Sequence, residues 1–185
     1  GLDLDPGGLA LESATAGPSV SFETLVLDLN DNKVAVSPEP PQTPTDYSAP
    51  TKPAGKIALP SVAVTIAFDF DSATIRADQI GKMATLIEAL ADPALSGTQY
   101  AVIGHTDAKG SERYNCDLSR RRAASVTSAL QANYVPVTLY PVGFGEYVLK
   151  DIYDPNAAAN RRVTFLRLPD DAGAVLSTTG AICAY

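Results

Sequence analysis

Hydrophobic positions change from strand-like to helix-like spacing and back again along the second two thirds of the chain. Val62, Val64 and Ile66 alternate with smaller residues, which predicts a strand running towards Phe68. Apolar residues spaced three and four apart predict two helices, marked by Ile80, Met83, Ile87 and Leu90 in the first and by Leu118, Ala123, Val126 and Leu130 in the second. Further strands are predicted at 100–103, 137–142 and 163–168, with the second helix at 117–133 and a turn or short helix at 156–160.

The order of these elements defines a fold class. It is strand, helix, strand, helix, strand, turn or helix, strand, written β-α-β-α-β-(α)-β. Such an order predicts an α+β fold in which two helices pack on a mixed sheet of about four strands.

Residues before Ser61 follow another pattern. Alternating apolar residues on either side of Asn30-Asp31-Asn32 suggest a small hairpin in a lead of residues 1–37, and a lone hairpin must dock on something to be stable. Seven of the 14 prolines lie in residues 38–60, which predicts an extended linker. The predicted organisation is therefore lead 1–37, linker 38–60, folded domain 61–168 and tail 169–185.

The charge of the chain follows the same boundaries. The 185 residues carry a net charge of −7, with 21 acidic and 14 basic residues. Residues 61–168 hold 11 acidic and 11 basic residues, so the acidic excess belongs to the two ends. This balance argues against nucleic acid as a partner, because phosphate binding requires clustered Lys and Arg.

Three further expectations follow from the start of the chain, its longest apolar stretch and its two cysteines. The chain opens without Met or an apolar leader, as a processed chain or an excised piece of a longer one does. Its longest apolar stretch, 57–68, is too short to predict a membrane span. Cys116 and Cys183 form a disulfide in an oxidising compartment or stay as two free thiols, and the sequence leaves both alternatives open.

The densest polar chemistry lies between Gly104 and Ala123, where a predicted strand ends and a helix starts. Asp107 offers a carboxylate, and the free N–H groups of a helix start favour an anion. Arg122, expected about one turn inside the helix, offers a guanidinium facing the same space. An ammonium next to a carboxylate, as on an amino-acid α-carbon, complements such a site. A structural salt bridge between Asp107 and Arg122 is the alternative interpretation.

Several motifs in this region resemble the OmpA-like C-terminal domain, the peptidoglycan-binding module of OmpA-type proteins, peptidoglycan-associated lipoproteins and MotB-type stator proteins. The resemblance covers residues 61–168, and its motifs occur in the family's order. They are FDFDSATI from Phe68, GHTD from Gly104, YN at Tyr114, LSRRRAASV from Leu118, GFGE from Gly143 and NRRV from Asn160.

The resemblance implies an OmpA-like two-layer sandwich in the periplasm of a Gram-negative-type bacterium, noncatalytic and without cofactor. Its ligand would be the diaminopimelate of the peptidoglycan stem peptide, and its role to anchor an outer-membrane or envelope component to the cell wall. The matching positions make Asp107 and Arg122 the residues that clamp the ligand. The other implied ligand-binding residues are Thr106, Asn115, Leu118, Asn160 and Arg161. Cys116 departs from the family pattern, and its pairing with Cys183 would tie the tail beside the pocket.

Two other functions remain as alternatives. The first is a peptidoglycan-modifying enzyme, but His105 is the only histidine and no metal-binding set of residues is recognisable. The second is a structural envelope protein whose residues 1–60 bind a protein partner. With no Trp and 7% aromatic residues, the composition predicts no stacking platform for sugars.

Overall fold

A single mixed sheet of six strands runs through the computed structural model, which describes residues 20–36, 56–69 and 71–184. The strands are β1 Val20–Asp28, β2 Lys33–Val36, β3 Lys56–Val64, β4 Gln99–His105, β5 Thr138–Gly145 and β6 Val163–Arg167. The helices are α1 Ile80–Leu90, α2 Glu112–Ala132 and α3 Gly173–Ala181, and short 3-10 turns lie at Ala77–Gln79, Pro93–Leu95 and Ala158–Asn160.

The strand order across the sheet is β2-β1-β3-β6-β4-β5. Only β4 and β5 pair in parallel, because α2 connects them as a crossover helix, and all other neighbours are antiparallel. The four strands predicted for the folded domain are β3 to β6. The predicted α+β class with helices on a mixed sheet is thus confirmed.

The N-terminal hairpin enlarges this sheet to six strands. Strand β1 pairs with β3 over nine residues, from Val20 opposite Val64 to Asp28 opposite Lys56. The turn at 29–32 is stabilised by the Asp28 carboxylate, which accepts hydrogen bonds from two backbone N–H groups, and by Asn32 in the left-handed region at φ 52°. The hairpin therefore docks on the main sheet.

Strand β3 begins at Lys56, five residues before the expected start of the folded domain. The last part of the segment predicted as a linker is therefore a strand, in which Pro60 lies opposite Thr24. The remainder of that segment and residues 1–19 lie outside the described residues.

One face of the sheet, called here the first face, is covered by α1 and α2. Its core is built from apolar side chains of both helices and of β3, β4 and β6: Val62, Val64, Met83, Leu86, Leu90, Tyr100, Val102, Val126, Leu130 and Phe165. Helix α2 approaches the strands very closely at Gly143, where an added Cβ would stand 2.6 Å from the Arg120 backbone nitrogen. An added Cβ at Gly104 would overlap the Ser119 carbonyl. These glycines let the helix seat directly on β4 and β5.

The opposite face, called the second face, is covered by α3, which contacts β1, β2 and β5. Its core is a separate cluster: Leu25, Leu27, Leu59, Ala101, Ile103, Phe144, Val148, Leu166, Leu168, Ala172 and Val175. The segment 169–185 expected as a tail thus contributes a helix. Its small residues show little periodicity, so the sequence pattern did not mark it.

A disulfide joins the layers on the two faces. Cys116 of α2 and Cys183 after α3 are bonded, with their Cα atoms 5.6 Å apart. The Arg120 guanidinium also donates a hydrogen bond of 3.0 Å to the Cys183 carbonyl. The end of α3 is therefore fixed to the helix that carries the predicted ligand-binding residues.

Candidate functional site

The candidate site lies where β4 ends and α2 begins, as the sequence predicted, but α2 starts earlier than expected. The helix begins at Glu112, and Ser111 caps it by accepting a 3.1 Å hydrogen bond from the Tyr114 N–H. The expected start at 117 was wrong because the apolar periodicity appears only from Leu118, after six helical residues without it. Arg122 consequently lies about 15 Å along the axis from the helix start, and not about one turn inside it.

Asp107 is the acidic residue of the site, and its side chain is 12% exposed. One carboxylate oxygen accepts a 3.1 Å hydrogen bond from the Lys109 N–H. The other accepts a 2.7 Å charge-assisted bond from Arg161. Carboxylate oxygens accept about two hydrogen bonds each, so both retain capacity for a ligand ammonium.

Arg161 therefore belongs to the site as the ion-pair partner of Asp107, and its side chain is 45% exposed. Asn160, its neighbour, has another position. The Asn160 side chain is fully buried and bonds to the backbone of Asp151, Asp154 and Pro155. Asn160 thus supports a loop beside the site and does not meet Asp107.

Asn115 and Leu118 lie in the first two turns of α2. The Asn115 amide donates to the carbonyls of Asp107 and Lys109 at 3.3 and 2.8 Å, and to the Glu146 carboxylate at 3.1 Å. Asn115 thereby holds the loop that carries Asp107. Leu118 is 5% exposed, so it is a buried apolar residue of the helix.

Thr106 immediately precedes Asp107 and is 3% exposed. Its backbone N–H donates to the Gly145 carbonyl at 2.8 Å. Its hydroxyl oxygen has no hydrogen-bond partner within the described residues, so it is the one predicted site residue with an unused buried polar group.

Arg122 is half-buried and is held by residues 68–69 and 71–75, named here the Phe68 loop. The guanidinium lies 4.8 Å from the centroid of the Phe68 ring, a cation–π contact. Its Nε donates to the Ser72 carbonyl at 3.0 Å and its Nη2 to the Asp69 carbonyl at 3.4 Å. No hydrogen bond is formed by Nη1 to any part of the chain that the structure describes, so a ligand carboxylate can use it.

Arg122 and Asp107 do not form the structural salt bridge considered as the alternative, because Asp107 pairs with Arg161 and Arg122 with backbone carbonyls. They nevertheless act on each other through space. Burial lowers the pKa of the Arg122 guanidinium from its ordinary value, and the nearby Asp107 charge opposes that effect while Arg161 adds to it. The Asp107 and Arg161 charges thus act on Arg122, although Tyr114 and Arg121 act on its pKa more strongly.

Tyr114 and Asp71 connect the Phe68 loop to the start of α2. The Tyr114 hydroxyl donates a 2.7 Å hydrogen bond to the Asp71 carboxylate, which raises the pKa of that tyrosine above its usual value. Asp71 itself stands in the left-handed region at φ 51°. Sequence reasoning assigned these two residues no role in the site, and the contacts missed here are long-range, 43 residues apart for this pair.

His105 lies outside the site, in the second face of the sheet. Its Nε2 is 2.8 Å from the Thr164 hydroxyl, and its ring meets Phe144 edge-on at 5.5 Å between centroids. Burial and the Arg162 charge hold the pKa of His105 well below 6.5. Its role is structural, and its partners lie on the neighbouring strands β5 and β6.

The wider surroundings show no other recognisable chemistry. Within residues 20–36, 56–69 and 71–184, no three His, Cys, Asp or Glu side chains cluster as metal ligands would. Nor does any helix there combine the length and the apolar character that crossing a membrane requires.

A mixed sheet with helices on it, and an acidic group paired with a guanidinium group at the end of β4, are features of an OmpA-like α+β domain. The chain belongs to the OmpA family, whose sequence model matches residues 67–163. This match includes Asp107, Arg122 and Arg161, and it confirms the resemblance seen in the sequence motifs.

Individual relatives are similar over the same region. Outer membrane porin F of Pseudomonas fluorescens is 36% identical over 106 residues, which cover 55% of this chain and 32% of the relative. Outer membrane porin F of Pseudomonas aeruginosa is 30% identical over 129 residues, covering 66% of this chain and 36% of the relative. The chain thus spans about a third of the length of these relatives.

Among solved structures, the chain is similar to the peptidoglycan-associated lipoprotein from Burkholderia pseudomallei. The two are 24% identical with a TM-score of 0.45, and the match covers 55% of this chain and 87% of that one.

Proposed function

We propose that this chain binds peptidoglycan noncovalently through the diaminopimelate of the stem peptide. The observation that carries the proposal is the set of charged groups formed by the Asp107 carboxylate, its ion-pair partner Arg161 and the half-buried Arg122 guanidinium, on which the Asp107 charge acts. This arrangement complements an amino-acid centre, which brings an ammonium and a carboxylate together.

In the proposed complex the ligand ammonium lies against the Asp107 carboxylate and the ligand carboxylate against Arg122. Arg122 is positioned in advance, because two carbonyls and the Phe68 ring fix its guanidinium while leaving Nη1 available. Such preorganisation lowers the entropy cost of binding. Without ligand, the Arg161 charge balances that of Asp107, so that the carboxylate is not left buried and unpaired.

The free N–H groups at the start of α2 have a smaller part than the sequence suggested. They lie about three helical turns from Arg122, and the Ser111 hydroxyl already accepts from one of them. The ligand carboxylate is accordingly assigned to the guanidinium groups alone.

The proposed role is to anchor an envelope component to the cell wall in the periplasm. OmpA-family membership and the similarity to two outer membrane porins support this assignment. The disulfide fits it as well, since such bonds persist in oxidising compartments such as the periplasm. Binding without catalysis is favoured because the single histidine, 2% exposed, is committed to the core.

Isothermal titration with a tripeptide ending in diaminopimelate tests the proposal. Wild-type protein is expected to bind, and Asp107→Asn to weaken binding at least about tenfold by removing the ammonium's counter-charge. Asp117→Asn is the matched control, because Asp117 is an exposed α2 carboxylate that pairs with Arg121. Equal affinity of Asp107→Asn and wild type would show that the site is misassigned.

A second ligand sharpens this test. In the second ligand, lysine takes the place of diaminopimelate in the same tripeptide. The lysine side chain ends in an ammonium alone, whereas that of diaminopimelate ends in an ammonium and a carboxylate. Binding of the lysine peptide is expected to be weaker for wild type, and Arg122→Ala should reduce the difference between the two peptides. Indistinguishable binding of both peptides by wild type would contradict the role given to Arg122.

A further inference from the structure

We propose that residues 151–157, named here the Tyr153 loop, contact the sugar rings of the glycan strand, with Tyr153 and Ile152 as the contacting side chains. This inference rests on the proposed function, and it adds a second contact to the same ligand. The side chain of Tyr153 is 94% exposed and that of Ile152 is 65% exposed.

The Tyr153 loop is held in a defined conformation by buried polar groups. The Asn160 amide accepts from the Asp151 N–H at 2.8 Å and donates to the Asp154 and Pro155 carbonyls at 3.0 and 3.2 Å. The Asp151 carboxylate accepts from the N–H groups of Tyr153 and Asp154, both at 3.0 Å. Polar groups thus close the inside of the loop, and two adjacent large apolar side chains remain outside.

The loop is attached directly beside the Asp107 site. The Ala108 N–H donates a 2.9 Å hydrogen bond to the Pro155 carbonyl. Tyr153 is two residues from Pro155, so its Cα lies within roughly 10 Å of the backbone next to Asp107. Diaminopimelate is the third stem residue, so two residues and the lactyl group separate it from the sugar, and the two residues alone span about 7 Å when extended. A stem that leaves the Asp107 site towards the Tyr153 loop can therefore bring its sugar to that loop.

The chemistry of the exposed side chains suits a carbohydrate. The face of a tyrosine ring offers a rigid apolar surface with negative potential, against which the C–H groups of a pyranose ring can pack. The Asp154 carboxylate on the same loop is exposed and can accept from sugar hydroxyls. Neither feature requires a charged partner, in contrast to the Asp107 site.

The composition predicted no stacking platform for sugars, but the fold places several of the exposed large hydrophobic side chains close together. Six large hydrophobic side chains are exposed in the described part of the chain, and three of them, Tyr147, Ile152 and Tyr153, lie between β5 and β6 next to the site. The few exposed apolar side chains are thus concentrated where a glycan would lie.

The test compares two ligands, the diaminopimelate tripeptide and the same tripeptide attached to its disaccharide. Wild-type protein is expected to bind the disaccharide-peptide about five- to tenfold more tightly than the tripeptide. Tyr153→Ala is expected to lose this gain while binding the tripeptide as wild type does. Tyr153→Phe should retain the gain, because it keeps the ring face.

Tyr134→Ala is the matched control. Tyr134 is 90% exposed but follows the far end of α2, about 30 Å from the helix start. Its removal should leave both affinities unchanged. A gain that survives in Tyr153→Ala, or no gain in wild type, overturns the glycan contact alone. Failure of wild type to bind the tripeptide overturns the proposed function and this inference together.

Discussion

The two faces of the sheet are covered in different ways. The first face is sealed by two helices whose apolar side chains interleave with the strands, and α2 touches the backbone at Gly104 and Gly143. The second face is covered by α3, a helix of nine residues that is fixed by a disulfide at its end. It also contains the buried polar residues His105, Arg162 and Thr164.

This difference separates two sources of stability. Packing of apolar surface holds the first face and depends little on redox state or pH. The second face has an apolar core as well, but it depends in addition on a covalent bond and on the protonation state of a buried histidine. Conditions that change thiols or protons should therefore act on one face and spare the other.

The largest effect is expected from removing the disulfide in a Cys116→Ala/Cys183→Ala variant. The bond closes a loop of 67 residues, for which the chain-entropy account gives about 4 kcal/mol of unfolding free energy. Urea unfolding measures the loss. Hydrogen exchange should show α3 amides opening more readily than those of α1, which would sharpen the comparison between the faces.

Dithiothreitol provides the control for this prediction. It should lower the stability of wild type to that of the double variant and leave the variant unchanged. Equal acceleration of exchange in α1 and α3 would show that the bond stabilises the whole molecule and not the second face.

A smaller effect is expected on the first face from Gly143→Ala. The added Cβ would stand 2.6 Å from the Arg120 backbone nitrogen, so α2 must shift at a cost of about 1–3 kcal/mol. Thermal unfolding measures the change. Gly81→Ala in α1 is the control, because nothing lies within 4 Å of its added Cβ, and it should stabilise the protein by up to about 1 kcal/mol.

The smallest effect is expected from pH and concerns the second face again. Burial and the Arg162 charge hold the pKa of His105 well below 6.5 in the folded protein. The unfolded chain therefore takes up a proton below pH 6.5 that the folded chain does not. The contribution of His105 to stability is complete above pH 6.5 and falls as the pH decreases, by up to about 1.4 kcal/mol for each pH unit.

Urea unfolding between pH 7.5 and 5.5 measures this slope. His105→Gln keeps a polar side chain for Thr164 but does not titrate, so its stability should vary less with pH over the same range. An identical slope for the variant and wild type would remove His105 as the cause.

Local sequence patterns predicted the elements whose apolar spacing is regular. Leu118 to Leu130 marked most of α2, and the residues on either side of Asn30-Asp31-Asn32 marked the hairpin. The pattern missed the first turn of α2, which is polar and defined by the Ser111 cap, and it missed α3, which consists mostly of small residues. Neither contains the apolar spacing on which such predictions rest.

The candidate site, too, was predicted only in part from the sequence. Sequence motifs identified Asp107, Arg122 and Arg161 as candidate site residues, but they did not predict which groups these side chains contact. The partner of Asp107 is 54 residues away and the carbonyl that holds Arg122 is 50 residues away. Those pairings follow from how β6 and the Phe68 loop assemble around α2, which no local pattern contains.

The pairing of β3 with β6 has a consequence for the time at which this domain can form. Val64 lies opposite Val163, about 100 residues later in the chain, and β3 and β6 are the two central strands of the sheet. Sheets closed by such distant pairs form slowly, because a long loop must close before any contact compensates for it. Strand β6 must therefore be synthesised, about 100 residues after β3, before the centre of the sheet can assemble.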